Sequence, residues 1–106
     1  MDQIKQSVAR RVRVVLFTES GTGLTGVTYD QPVVYLQKQN GSATLKTLQN
    51  TDWFEIDATH MPGEYDLLLS ITDTNTVGFL RYQVDAVAQG ADEIYRDGLD
   101  VIPKTL

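Results

Sequence analysis

The sequence predicts an all-β chain, a single antiparallel β-sandwich of about seven strands with extended terminal arms. Three observations carry that expectation. Apolar and polar residues alternate with period two, as strands with one buried face require. From Tyr65 onward, Tyr65, Leu67, Leu69 and Ile71 fall on one side and Glu64, Asp66, Leu68 and Ser70 on the other. Turn residues punctuate the chain at the short, regular intervals of a sandwich. No long segment of helical period lies between them.

The first strand is expected over residues 8–18, with Val8, Arg10, Val12, Val14 and Leu16 on one face and Ala9, Arg11, Arg13, Val15 and Phe17 on the other. Residues 20–26 form a Gly/Thr loop, followed by a short extended piece at 27–29, a turn through Pro32 and a strand over 33–38. Asn40-Gly41 is a strong hairpin signal, since both residues tolerate the positive φ of a type I′ turn, and residues 43–48 return from it. Strands over 53–58 and 64–71 follow, joined through a Pro62-Gly63 corner. Gly63 is expected at a backbone angle that side chains resist. A polar turn at 73–76 leads into a long strand over 78–87. Residues 91–99 read either as a short helix, with Asp92 and Glu93 in its first turn, or as an extended tail. These phases place Val12, Val14, Leu16, Tyr65, Leu67, Leu69, Ile71, Leu80, Tyr82 and Val84 inward.

A chain of 106 residues suits one domain. It divides into an arm at 1–7, a sandwich at 8–88 and a C-terminal segment at 89–106. With 42% hydrophobic and 22% charged residues the composition is that of a folded soluble domain. A net charge of −5 argues against binding nucleic acid through its phosphates. No apolar run is long enough to span a bilayer, and residues 1–7 lack a signal-peptide core, so no membrane role is expected. The absence of cysteine removes disulfide scaffolds, thiol nucleophiles and zinc ribbons. Charge is unevenly placed, with Lys5, Arg10, Arg11 and Arg13 near the front and Asp85, Asp92, Glu93, Asp97 and Asp100 towards the back. Two such ends can pair head to tail between subunits, or each can simply be solvated.

The chemical motifs are weak by their context. Gly21, Gly23 and Gly26 match the spacing of a dinucleotide-binding loop, but β-prone residues and Pro32 follow where a helix must hold the pyrophosphate. His60 is the single histidine and has no nucleophile or ligand set beside it, so it reads as a loop residue. Asp30, Asp57, Asp73 and Asn75 can offer oxygens to calcium, though without the EF-hand spacing, and all favour turns for local reasons. Glu55 and Asp57 lie two apart on one strand, the usual pattern of a wet face. No cofactor, metal or catalytic residue is expected. Trp53, Tyr29, Tyr35 and Tyr82 can form a sugar-stacking platform, which keeps a carbohydrate- or ligand-binding module as the alternative reading.

Residues 21–26, the Tyr29 to Leu36 run, Trp53-x-Glu-Ile-Asp57, Met61-Pro-Gly-Glu-Tyr65 with Leu67 and Leu69, and Asp73-Thr-x-Thr-x-Gly78 together resemble small β-sandwich modules of tailed-bacteriophage virion proteins. The resemblance covers about residues 16–87. Its Pro-Gly-x-Tyr-x-Leu corner is shared with immunoglobulin-like and transthyretin-like sandwiches. It implies an immunoglobulin-like fold and a non-enzymatic structural role in a virion assembled in the host cytoplasm, as a head-decoration, tail or baseplate component. The partners implied are capsid or tail subunits, in an oligomer or larger assembly. Arg11, Arg13, Val15 and Phe17 are expected on the face opposite the core, where arginines beside apolar side chains have the composition of an interface. Ile4 on the first arm, and Val101, Ile102 and Leu106 on the last, are further docking candidates. A competing expectation is that the tail covers that face itself, through Ile94, Tyr95 or Leu99. Deleting residues 1–7, or replacing Arg11 and Arg13 with Glu, is expected to weaken assembly and spare the fold.

Overall fold

Eight strands in two layers build the chain in a computed structural model that describes residues 2–104. In chain order they are β1 Gln3–Lys5, β2 Arg10–Val15, β3 Val33–Lys38, β4 Thr44–Lys46, β5 Trp53–Asp57, β6 Met61–Leu69, β7 Gly78–Asp85 and β8 Tyr95–Ile102. One sheet has the order β1-β8-β7-β3-β4 and the other β2-β6-β5, a sandwich-like pair with no closed barrel. Single 3₁₀ turns at Asn50–Asp52 and Val87–Gln89 are the helical elements among the described residues. None of them is long or apolar enough to cross a membrane.

Period-two burial builds the core. Val12 and Val14 of β2, with Leu16 just beyond it, face Leu80, Tyr82 and Val84 of β7 across the layers, with Tyr65, Leu67 and Leu69 of β6 between the edges of the small sheet; all are buried. The Tyr82 hydroxyl reaches the Arg13 carbonyl at 3.3 Å and ties the two sheets together. Burial pushes that phenol well above its usual range.

Ile71 departs from the expected inward set, at 59% exposed. Strand β6 ends at Leu69 because Ser70 and Asp73 clasp each other: Ser70 N–H donates to Asp73 Oδ2 at 2.7 Å and Asp73 N–H to Ser70 Oγ at 3.2 Å. That local turn outweighs the alternation, and Thr74, fully buried, docks it by donating to the Val8 carbonyl at 2.9 Å.

The ends of the chain belong to the large sheet. β1 pairs in parallel with β8 from Gln3↔Asp100 to Lys5↔Ile102, so the sandwich is not wholly antiparallel. β8 pairs antiparallel with β7 from Gly78↔Val101 to Val84↔Tyr95, and the helical option for residues 91–99 gives way to a strand. Its buried Leu99 and Val101 gain a core that a short helix at the surface would not reach. Ile4 is buried against the same core. Residues 1–7 are thus no detachable arm among the described residues, and their deletion removes an edge strand along with Ile4.

Two turns differ from expectation. The β3–β4 hairpin forms, with Gly41 N–H donating to the Lys38 carbonyl at 3.0 Å, but positive φ occurs at Asn40 alone (63°), so the turn is not type I′. Residues 27–29 form no strand. The β5–β6 connection lies at residues 58–60, and Pro62-Gly63 sits inside β6. Gly63 does take a left-handed φ of 88°, as expected, and its carbonyl accepts from Leu16 N–H at 2.8 Å.

Candidate functional site

The Gly/Thr loop is held down by the core. Gly23 and Gly63 cross so closely that a Cβ on Gly23 would fall on the Pro62 carbonyl, and a Cβ on Gly63 would lie 2.8 Å from Gly23 Cα. Trp53 and Tyr65 stack with ring centroids 4.9 Å apart. Trp53 Nε1 donates to the Val27 carbonyl at 2.9 Å; the Tyr65 hydroxyl donates to the Leu24 carbonyl at 2.7 Å and accepts from Val27 N–H at 3.2 Å. Burial raises the Tyr65 phenol above its ordinary pKa, which keeps it a donor here. Glu55 accepts from Gly26 N–H at 3.2 Å, so it serves this clasp and not a wet carboxylate pair with Asp57. A bulge between Glu55 and Asp57 also breaks their common alternation. No helix follows the loop, so its glycines answer to close backbone approach and a tight turn, not to a pyrophosphate.

The remaining polar candidates close turns. Asp57 accepts from Thr59 and His60 N–H, each at 3.0 Å, and pairs with His60 Nδ1 at 2.9 Å. The His60 backbone bond, then its ring and the Thr59 N–H, lower the Asp57 pKa. Asp73 meets Lys46 Nζ at 2.7 Å, and Asn75 Oδ1 accepts from Lys38 Nζ at 2.7 Å. Lysines therefore stand where a calcium would have to enter. Asp30 accepts from Thr28 Oγ1 at 2.7 Å within its own turn. Among the described residues no three His, Cys, Asp or Glu side chains gather as a metal site needs.

Of the four aromatics proposed as a sugar platform, Trp53 and Tyr82 are buried. Tyr29 and Tyr35 remain partly exposed. Replacing Trp53 therefore reports on the core and the loop clasp, and does not isolate a ligand contact.

The outer face of the small sheet is the surface that the strand parity predicted. Its cross-strand rows are Arg11↔Leu68, Arg13↔Asp66↔Phe54 and Val15↔Glu64. Arg13 is held between Glu64 and Asp66, Nε lying 3.3 Å from Asp66 Oδ1. Those hydrogen-bonded carboxylates, Glu64 foremost, raise the guanidinium pKa further. Exposed pairs of this kind orient a side chain more than they stabilise a fold. Arg11 makes no ion pair among the described residues. Phe17 lies just past β2, bridged to Gly23 and 49% exposed, while its carbonyl accepts from Asp92 N–H at 2.8 Å. Two of the three tail residues expected to cover this face lie elsewhere: Leu99 is buried in the core and Tyr95 lies against Tyr82 of the opposite sheet, while Ile94 is half-buried just after Asp92, whose N–H meets the Phe17 carbonyl.

Phe54, 56% exposed, is the residue that the sequence reading left out of this face. Its signal was available, because Trp53 pointing inward on β5 sends Phe54 outward. The terminal candidates divide differently. Ile4 and Val101 are buried in the core, Ile102 is half-buried on β8, and Leu106 lies outside the described residues. Ile4 and Val101 are consequently stability residues, with no side-chain surface for a neighbour. Searches of family models, curated proteins and solved structures find no match to this chain.

Proposed function

We propose that this chain is a non-enzymatic structural protein of a bacteriophage virion, a head-decoration or a tail or baseplate subunit that acts through contacts with other virion subunits. Its sandwich is, on the same reading, a variant immunoglobulin-like module. The observation that carries the proposal is the outer face of the small sheet. There Phe54 and Phe17 are about half exposed, on the same face as Val15, Leu68 and Arg11, which has no ion-pair partner among the described residues. Apolar side chains interleaved with arginine make an interface core with a polar rim. Strands β2 and β5 also each leave one edge without a strand partner, so the surface is bordered by unpaired backbone.

The resemblance in the sequence supplies the virion context, and the tying of Glu55, Asp57 and Asp73 into loop closures supports a passive role. The experiment is incorporation of Arg11→Glu combined with Phe54→Ser into particles. Both side chains are exposed, so the isolated fold should keep its denaturation midpoint, as surface changes usually do. Incorporation is expected to fall about tenfold or more, the loss that follows when a central contact of an interface is removed. Arg13 is left intact, since a glutamate there would face Glu64 and Asp66 and confound contact with repulsion. Wild-type incorporation of the double variant would remove this face as the attachment surface.

A further inference from the structure

We propose that the outer face of the large sheet carries a binding site for an acidic saccharide. The site is a shallow groove of about 680 Å³ running across β3, β7 and β8. Two adjacent cross-strand rows build it: Gln37↔Arg81↔Gly98 and Tyr35↔Gln83↔Arg96. Alternation turns all six outward, because Leu36, Tyr82 and Leu99 on the same strands are buried on the core side. Gly98 opens the floor. A Cβ there would lie 3.0 Å from the Leu80 carbonyl oxygen and 3.5 Å from Arg81 Cγ, so the absence of a side chain keeps both the strand pairing and the depression. Ala43 and the Tyr35 ring extend an apolar base, and the Gln and Arg tips stand around it.

The arginines of this groove, Arg81 and Arg96, have no carboxylate partner among the described residues, whereas Gln37 Nε2 already donates to the Gly41 carbonyl at 3.2 Å and offers its Oε1 as an acceptor. In a chain of net charge −5, Arg10, Arg13 and Lys46 are each paired with carboxylates, and Lys38 is bonded to Asn75. Arg81 lies 5.7 Å over the Phe79 ring, which keeps its guanidinium low on the sheet. The groove's carboxylate, Asp97, is turned to Gly98 N–H at 2.8 Å and to the Tyr95 hydroxyl at 3.3 Å. The groove is therefore locally positive, and charge complementarity selects an anion.

The shape of the groove selects a sugar among anions. A pyranose has an apolar C–H face that fits the Tyr35 ring and a perimeter of hydroxyls that suits Gln37 and Gln83. A uronate carboxylate takes a guanidinium in the two-bond geometry that arginine provides. An acidic peptide has less to gain here. The central strand under the groove, β7, is already paired on both sides, with β3 and with β8, so no strand can add to it there. The site lies on the sheet opposite the proposed attachment face, and does not depend on that reading.

The test is an amide NMR titration of the full chain with trigalacturonate, beside maltotriose and triglutamate. Trigalacturonate is expected to shift the amides of Tyr35, Gln37, Arg81, Gln83 and Gly98, with little response to the other two. Arg81→Gln combined with Arg96→Gln should weaken binding about tenfold or more, the scale of losing charge-assisted bidentate contacts. Tyr35→Ala should weaken it too, and Arg11→Gln on the other sheet should leave it unchanged. No binding, equal response to maltotriose or triglutamate, or binding indifferent to the double arginine variant would each overturn the proposal.

Discussion

Replacing Gly63 with valine is expected to cost about 2–5 kcal/mol, a large part of the roughly 5–15 kcal/mol that holds a small domain together. Two costs add. Gly63 has φ 88°, where an L side chain pays about 1–2 kcal/mol and a β-branched one more. A Cβ would also press on the Leu16 carbonyl and on Gly23 Cα, which adds about 1–3 kcal/mol of overpacking. The hydrogen bond from Leu16 N–H to the Gly63 carbonyl anchors β2 to β6 at this point, so the strain falls on both strands of the small sheet. Gly26→Val separates the two costs. Gly26 has φ 77° with no atom within 4 Å of a Cβ, so valine there should pay the same conformational cost alone, about 2 kcal/mol. Urea denaturation of both variants measures the difference. Equal losses would mean that the close crossing of Gly23 and Gly63 contributes nothing.

Leu67→Ala should cost about 2–5 kcal/mol, with the urea midpoint falling and the slope unchanged. Leu67 is fully buried on the central strand of the small sheet, between Val12 on β2 and Trp53 on β5. The cavity cannot close easily, because Trp53 is fixed by its stack on Tyr65 and its bond to the Val27 carbonyl. Ile71→Ala is the contrast. The same alternation placed Ile71 inward, yet it is exposed, and its truncation should change stability by no more than about 0.5 kcal/mol. An unchanged midpoint for Leu67→Ala would mean that the buried face is wrongly assigned.

Legibility followed the physics of one-sided burial. Where a strand has one wet face, as β2, β6 and β7 do, period two identified the inward residues up to the point where a local turn took over at Ser70. The same parity exposed Arg11 and Arg13 opposite the core. What stayed hidden depends on distant pairing. β1 is three residues long and shows no period until β8 lies beside it. In β8, Asp97-Gly98 looks like a stop, and only the ladder with β7 makes that glycine a strand residue. Pro62-Gly63 looks like a corner, but the Asp57 carboxylate gathers two N–H groups and turns the chain earlier. The aromatic clasp was legible as residues and not as a clasp, because Trp53 and Tyr65 meet the 24–27 backbone from far along the sequence.

Hydroxyl-radical footprinting of Phe54 and Phe17, in the free chain and in the assembled particle, asks whether the protein works through the outer face of its small sheet. Both rings are about half exposed in the chain alone and should label readily there. In the particle their labelling should drop severalfold, as aromatic residues at the centre of an interface lose solvent. Leu45, on β4 of the other sheet and 60% exposed, should label equally in both states. Undiminished labelling of Phe54 and Phe17 in particles that contain the protein would contradict that mode of attachment.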